Sequence, residues 1–358
     1  MIERKPTKGI QVGTVHIGDN APVSIQSMIT TNPVKVEQSI EEINRLATAG
    51  CELVRLAVPD MDAAKAIKDI KERAMIPLIA DIHFDYRLAL QAIDSGIDGL
   101  RINPGNIGSI DNVVKVVEKA KPKLIPIRIG VNAGSFPQHV LDAHGGHPTA
   151  DGMVDTALEH IRILESLEYD QMKVSIKATD VPLMIEAYRK LSSKIPYPLH
   201  LGVTEAGTIK QGTIKSAIGI GTLLADGIGD TIRVSLTGDP IHEVEVAKTI
   251  LSSLELRTFG ATMISCPTCG RCQVNLFNMA DIVEERLKAI KAPIRVAVMG
   301  CVVNGPGEAR EADFGIAGGK GQGIIFRKGK VLKTVPEQEL VDTLFAEIDQ
   351  YLLTLEDN

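Results

Sequence analysis

The chain has 358 residues, a formal net charge of −6, 44% apolar and 23% charged residues, which at roughly 150 residues per domain predicts two domains of ordinary globular composition. No run of about 18 apolar residues predicts a membrane span. The Met-Ile-Glu-Arg-Lys-Pro start lacks the apolar stretch of a secretion signal, so a cytoplasmic location is expected, and net acidity with no Trp, five Tyr and seven Phe argues against nucleic-acid binding.

From about residue 23 to 253, short β-branched runs alternate with segments of helical spacing. The runs are Val23–Ile29, Glu52–Val58, Pro77–His83, Gly99–Asn103, Ile125–Asn132, Met172–Lys177, Leu199–Thr204 and Thr231–Leu236. Between the first two, Ile40, Ile43, Leu46 and Ala47 share one helical face. Eight such units predict an α/β fold with an N-terminal (β/α)8 TIM-type barrel. An open doubly wound sheet needs a Gly-rich turn after its first strand, and Thr30-Thr-Asn-Pro33 is not one. A long Gly- and His-rich loop is expected over Gly134–Asp151; His144 and His147 lack an obvious third metal ligand and read as a solvated or lid loop.

The strands also predict where chemistry sits. Side chains alternate across a strand. Leu100, Ile102, Ile127, Ile129, Val174, Ile176, Leu201 and Val234 fall on the helix-facing side. Arg101, Asn103, Arg128, Asn132, Ser175, Lys177, His200, Thr204, Arg233 and Ser235 fall on the inner side, with Arg55, Asp81 and His83 in similar places. Barrel enzymes work at the C-terminal strand ends. Five cations there (Arg55, Arg101, Arg128, Lys177, Arg233) face two evident carboxylates, Asp81 and Glu205. Such a mouth is costly to bury unless an anion arrives, most simply a phosphate or diphosphate. Glu205, directly after the seventh strand, reads either as a proton donor or acceptor or as a partner of one arginine.

The second domain is predicted over 259–358 after a barrel domain over 1–258. It reads as α+β, with a helix at Asn275–Lys291, a strand at Ile294–Met299, two or three short strands to Val335 and a helix at Pro336–Leu353. Gly318-Gly-Lys-Gly-Gln-Gly323 lacks the Gly-Lys-Ser/Thr ending of a phosphate loop and reads as a turn between strands. The domain also holds Cys266-Pro-Thr-Cys269-Gly-Arg-Cys272 and Gly300-Cys301-Val-Val-Asn-Gly-Pro-Gly-Glu308. Thiols at that spacing suit zinc or iron–sulfur. The Gly-Pro-Gly turn can bring Glu308 back near Cys301 as a hard, displaceable ligand. Cys51, in a helix-to-strand turn, reads as a buried apolar-like side chain.

Taken together, the two cysteine strings, Val23-Ser-Ile-Gln-Ser-Met28, Ala80-Asp-Ile-His-Phe84, Arg101-Ile-Asn-Pro-Gly-Asn106 and Gly202-Val-Thr-Glu-Ala-Gly207 resemble the bacterial 4-hydroxy-3-methylbut-2-en-1-yl diphosphate synthases over essentially the whole chain. The resemblance implies a [4Fe–4S] cluster on Cys266, Cys269, Cys301 and Glu308. Cys272 stands outside that set, as a spare thiol or a stand-in for a lost ligand. It implies reductive ring opening and deoxygenation of 2-C-methyl-D-erythritol 2,4-cyclodiphosphate with two electrons. Arg55, Arg101, Arg128, Asn132, Lys177, Arg233 and Ser235 hold the diphosphate, and Glu205 supplies a proton. It further implies reduced flavodoxin or ferredoxin as donor and a head-to-tail homodimer. Two other readings stand beside it: a non-redox barrel enzyme for an anionic or pterin substrate with a structural zinc, and a non-enzymatic zinc-knuckle binding module.

Overall fold

The computed structural model describes residues 2–103, 106–134, 136–301 and 309–356. The chain divides into two compact units, Met1–Arg257 and Thr258–Asn358.

The first unit opens with a hairpin, β1 (Ile10–Val12) and β2 (Val15–Ile17). Eight parallel strands follow: β3 (Ser24–Met28), β4 (Leu53–Ala57), β5 (Leu78–Asp81), β6 (Gly99–Ile102), β7 (Ile127–Asn132), β8 (Met172–Lys177), β9 (His200–Leu201) and β10 (Thr231–Ile232). Neighbours pair in sequence, β10 pairs with both β9 and β3, and a Val174–Leu199 bridge joins the β8 side to the β9 side. The ring is therefore nearly closed, and the TIM-type barrel expected from the alternation of runs is what forms. The strands carry apolar side chains outward under the helices, which is why both faces of most of them are buried.

The helices start where the sequence supplies caps. Asp60 accepts Ala63 N–H (2.8 Å) ahead of a helix at Met61–Arg73, and Asp180 accepts Leu183 N–H (2.8 Å) ahead of a helix at Val181–Ser192. Each satisfies a backbone donor that the helix cannot. Two elements went unforeseen. One is the β1–β2 hairpin, whose Ile10, Val12 and Ile17 pack on Leu53 and Ile79 and cover the end where the strands begin. The other is a short helix, Gln138–Ala143, inside the segment expected to be loop. There His144 Nε2 pairs with Asp155 (3.0 Å) and His147 Nδ1 lies 3.1 Å from Gly145 O, so the two rings serve local contacts.

The second unit is a five-stranded sheet in the order β11 (Thr262–Ser265), β12 (Arg295–Met299), β13 (Phe314–Gly318), β14 (Gln322–Arg327), β15 (Lys330–Pro336). The first three strands are parallel and the last two antiparallel. Two helices, Leu276–Leu287 and Leu340–Glu356, cover it. Its core is Leu276, Val283, Val296, Phe314, Ile325 and Leu344. Strand β11 was not foreseen; it is four residues long and largely exposed, so it carries little hydrophobic pattern. The Gly318–Gly323 segment is the turn between β13 and β14, as its composition indicates. No helix among the described residues is long and apolar enough to cross a membrane.

Candidate active site: a cationic barrel and a cluster of thiols

Strand register sets the barrel's charge pattern. Asp81 lies beside Arg101, Arg101 beside Arg128, and Arg128 beside Lys173, a row of one acid and three bases across β5 to β8. Asp81 is shared: its carboxylate lies 2.9 Å from Arg101 Nη1 and 3.3 Å from Arg55 Nε. Burial alone would raise its pKa, but Arg55, His83 and Arg101 more than offset that and hold it well below the ordinary carboxylate range. Arg55 also rests on Met28 Sδ (3.1 Å). Arg233 pairs with Glu243 (3.1 Å), which is itself buried and accepts Ser27 Oγ–H (3.0 Å) and Leu236 N–H (3.0 Å). Lys177 leans over Gly202 so closely that a Cβ there would meet its Nζ at 2.5 Å.

The expected inner residues Arg55, Arg101, Arg128 and Lys177 are thus buried together, and Arg233, Asn132 and Ser235 are half-buried. The balance of charge differs from expectation in two ways. The second carboxylate among the cations is Glu243, not Glu205. Glu205 is exposed, sits in a left-handed turn (φ 51°) and accepts Thr179 Oγ1–H (3.3 Å); it pairs with no described cation. The reading of Glu205 as an arginine partner is therefore removed. Lys173 is the base that the sequence reading overlooked, although it shares the parity of Ser175 and Lys177.

Below the mouth, charge goes unanswered. Arg128 Nε and Nη1, Arg101 Nε, Lys173 Nζ and both ring nitrogens of His200 have no hydrogen-bond partner among the described residues. Burial, then Lys177, Arg128 and Lys173, hold His200 neutral by pushing its pKa well down. Burial, reinforced by Arg128 and Arg55, lowers Lys173 to about 7. In the unfolded chain a lysine keeps its proton to about pH 10.4. Between about pH 7 and pH 10 the unfolded state therefore binds the extra proton, and stability rises with pH. Unfolding in urea across that range is expected to show this slope. Lys173→Met should flatten it in part, the rest coming from Lys177, whose pKa burial also pushes well down, and leave the protein at pH 7 as stable, or more stable by roughly 1–4 kcal/mol.

In the second unit, Cys266 follows β11 and Cys301 follows β12, two strands that lie side by side. Gly300 N–H donates to Cys266 Sγ (3.1 Å), Cys272 N–H donates to Cys269 O (2.9 Å), and a Cβ on Gly300 would meet Cys272 Sγ at 2.7 Å. Cys51, Cys266, Cys269 and Cys272 form no disulfide. Cys269 is exposed, whereas burial pushes the Cys51 thiol up to about 12, as expected of a packing residue. Among the described residues no three metal-type side chains form a closed site. Glu308 and the Asn304–Glu308 turn lie outside the described residues. The donor chemistry nonetheless fits an iron–sulfur group: soft thiols at adjacent strand ends, Cys266 Sγ already accepting a backbone N–H.

Residues 7–248 match the family description "GcpE TIM-barrel domain" and residues 262–350 match "GcpE protein C-terminal domain". A Geobacter sulfurreducens protein named 4-hydroxy-3-methylbut-2-en-1-yl diphosphate synthase (flavodoxin) is 58% identical over 97% of this chain and 98% of its own length. A Bacillus subtilis protein of the same name is 57% identical over 97% of this chain and 92% of its own. Among solved structures, the dihydropteroate synthase of Yersinia pestis aligns with a TM-score of 0.50 at 12% identity, over 69% of this chain and 97% of that one. That likeness shows a shared barrel fold and nothing about the substrate.

Proposed function

This chain belongs to the GcpE family across both of its domains, and from that premise we propose that it converts 2-C-methyl-D-erythritol 2,4-cyclodiphosphate into 4-hydroxy-3-methylbut-2-en-1-yl diphosphate, a two-electron reductive ring opening and deoxygenation. It is an oxidoreductase of isoprenoid biosynthesis. One observation carries the reading: the 58% identity to relatives of that name runs through barrel and cysteine domain alike. The non-redox barrel and the binding module are not favoured beside it.

Arg55, Arg101, Arg128, Lys177 and Arg233, with Asn132 and Ser235, bind the diphosphate. The arriving anion supplies counter-charge that Asp81 and Glu243 supply only in part. Cys266, Cys269, Cys301 and Glu308 hold a [4Fe–4S] cluster, whose chemistry when bound is the delivery of single electrons. Glu205, accepting the Thr179 hydroxyl, carries the proton that leaves with the substrate oxygen. The substrate groups lie in the barrel domain (1–258) and the thiols in the domain at 259–358, so turnover needs the two brought together. A head-to-tail homodimer, with the cluster domain of one copy serving the barrel of the other, does this. Reduced flavodoxin, the donor in the relatives' name, supplies the electrons. Cysteines used for metal chemistry suit the reducing cytoplasm.

The test is anaerobic turnover of the cyclic diphosphate with reduced flavodoxin, with the product identified by mass. The purified protein should be brown and hold about four irons per chain; colourless protein with one zinc overturns the reading. Glu205→Gln is expected to bind substrate with little change while turnover falls by about 100- to 10,000-fold, the range for a general acid. Unchanged turnover returns Glu205 to a structural role.

A further inference from the structure

Lys173 takes no part in the chemistry above, yet its side chain is among the largest that the chain buries completely. It opens β8 beside Arg128 of β7, with the inward parity of Ser175 and Lys177. Four residues separate it from Lys177, a rise of about 13 Å along the strand, so it lies well below the mouth. The end of the barrel nearest to it is shut by the β1–β2 hairpin. Its Nζ has no hydrogen-bond partner among the described residues, and neither have Nε and Nη1 of Arg128.

The charges around it are nearly all of its own sign. Arg128 of β7 and Arg55 of β4 add their repulsion to the effect of burial on the amine. Lys173 in turn helps to keep His200 of β9 neutral, after burial, Lys177 and Arg128. Asp230, just ahead of β10, is the acid that pulls the other way, and it is already engaged. It pairs with Arg4 (3.0 Å) and accepts Thr7 Oγ1–H (3.0 Å) and Leu199 N–H (2.9 Å). An unpartnered amine among buried bases costs stability that an apolar side chain of similar size would keep. Proteins tolerate such a cost chiefly at functional sites.

We propose that Lys173 is a further cation of the diphosphate site, one that takes up a proton as the anion binds and attracts it through the field rather than by contact. This rests on the reading that the barrel mouth binds the diphosphate, and deepens it by making that binding proton-linked. The neutral amine gains one proton from the buffer, and no other bond changes. An anion held by Arg55 and Arg128 cancels their repulsion of a charge on Lys173 and adds its own attraction, so the amine becomes more basic. At about 10 Å and an effective dielectric of 20, one pair of unit charges is equivalent to about a tenfold change in affinity. In the free protein the amine titrates at about 7. Its contribution to affinity is therefore complete below that pH and is lost as pH rises through the higher value of the complex. Lys177, held low by burial and by Arg128, Arg233, Arg55 and Arg101, adds uptake of its own. The share of Lys173 is then the difference between parent and variant. The cyclic diphosphate supplies no proton near neutrality, because each phosphorus carries a single, strongly acidic oxygen.

Titration calorimetry of the oxidised holoenzyme with the cyclic diphosphate, without reductant, tests this in buffers of different ionisation enthalpy. At pH 8 the parent is expected to take up about half a proton more than Lys173→Met. At pH 7 the variant should bind about five- to tenfold more weakly, and at pH 9 the two should bind alike. Lys173→Gln, which keeps a polar end but no charge, should behave as Lys173→Met does and serves if the methionine disturbs the fold. Equal affinity at pH 7 with equal proton uptake overturns the inference. So does a loss of affinity that is the same at pH 7 and pH 9, which would make Lys173 a packing residue. A parent that does not bind the cyclic diphosphate counts against the proposed function and takes this inference with it. A parent that binds, beside variants that match it, overturns the inference alone.

Discussion

Cys301→Ser is expected to lose iron and turnover together while the barrel unit keeps its unfolding transition. Cys301 follows β12, is half-buried and is not among the buried residues of the second unit's apolar core. Serine is nearly the same size, so packing is preserved, but its hydroxyl does not ionise to a soft ligand at neutral pH. Changes to groups that merely support metal ligands already cost about 10- to 100-fold, so loss of a direct ligand should cost turnover more than about 100-fold. Iron per chain should fall from about four to a minor fraction. Iron analysis, the visible spectrum and a thermal scan of one sample read all three effects. Full iron with full activity would remove Cys301 from the ligand set.

The second large effect is expected at Asp81. Its carboxylate answers Arg55 and Arg101 at once inside the barrel. Asp81→Asn keeps the shape and removes the charge, leaving two buried guanidinium groups without their anion. Breaking a buried pair in this way costs about 3–5 kcal/mol. For a unit of this size each kcal/mol moves Tm by about 2–4 °C, so a fall of roughly 6–20 °C is expected. The pH dependence follows from the sign of the shift. The folded carboxylate titrates below its unfolded value of about 3.9, so its stabilisation is complete above that pH and is lost as pH falls further. The parent should therefore destabilise on acidification below about pH 4 more steeply than Asp81→Asn. Inorganic diphosphate offers a complementary check: an anion at the mouth should restore more stability to the variant than to the parent. Equal Tm values with and without the substitution would show that the arginines find their counter-charge elsewhere.

The barrel was legible because its signal is repeated eight times. Each run alternates, and parity alone sorted Arg101, Arg128, Lys177 and Arg233 to the inside. Lys173 was equally available by that rule; it sits at the start of its run, where attention to strand ends passes it over. Glu243 carries a weaker signal. It lies on a helix, and only its place in the first turn after Asp239-Pro240, beside β10, could have suggested that it reaches back to Arg233. Glu205 shows the converse limit. Adjacency to a strand end put it near the mouth, but the left-handed turn that carries it away from the arginines is set by local backbone and leaves no periodic trace. The β1–β2 hairpin was legible in part, since Ile10, Val12, Val15 and Ile17 flank Gly13. Its purpose appears only when the strands it covers are in place.

That hairpin has a kinetic consequence. With Ile10, Val12 and Ile17 stoppering the end where the strands begin, the barrel is a vessel with one doorway rather than a passage. A molecule that leaves the arginines must depart through the opening by which its successor enters. Product and substrate therefore share one threshold, and added product should raise the KM for the cyclic diphosphate.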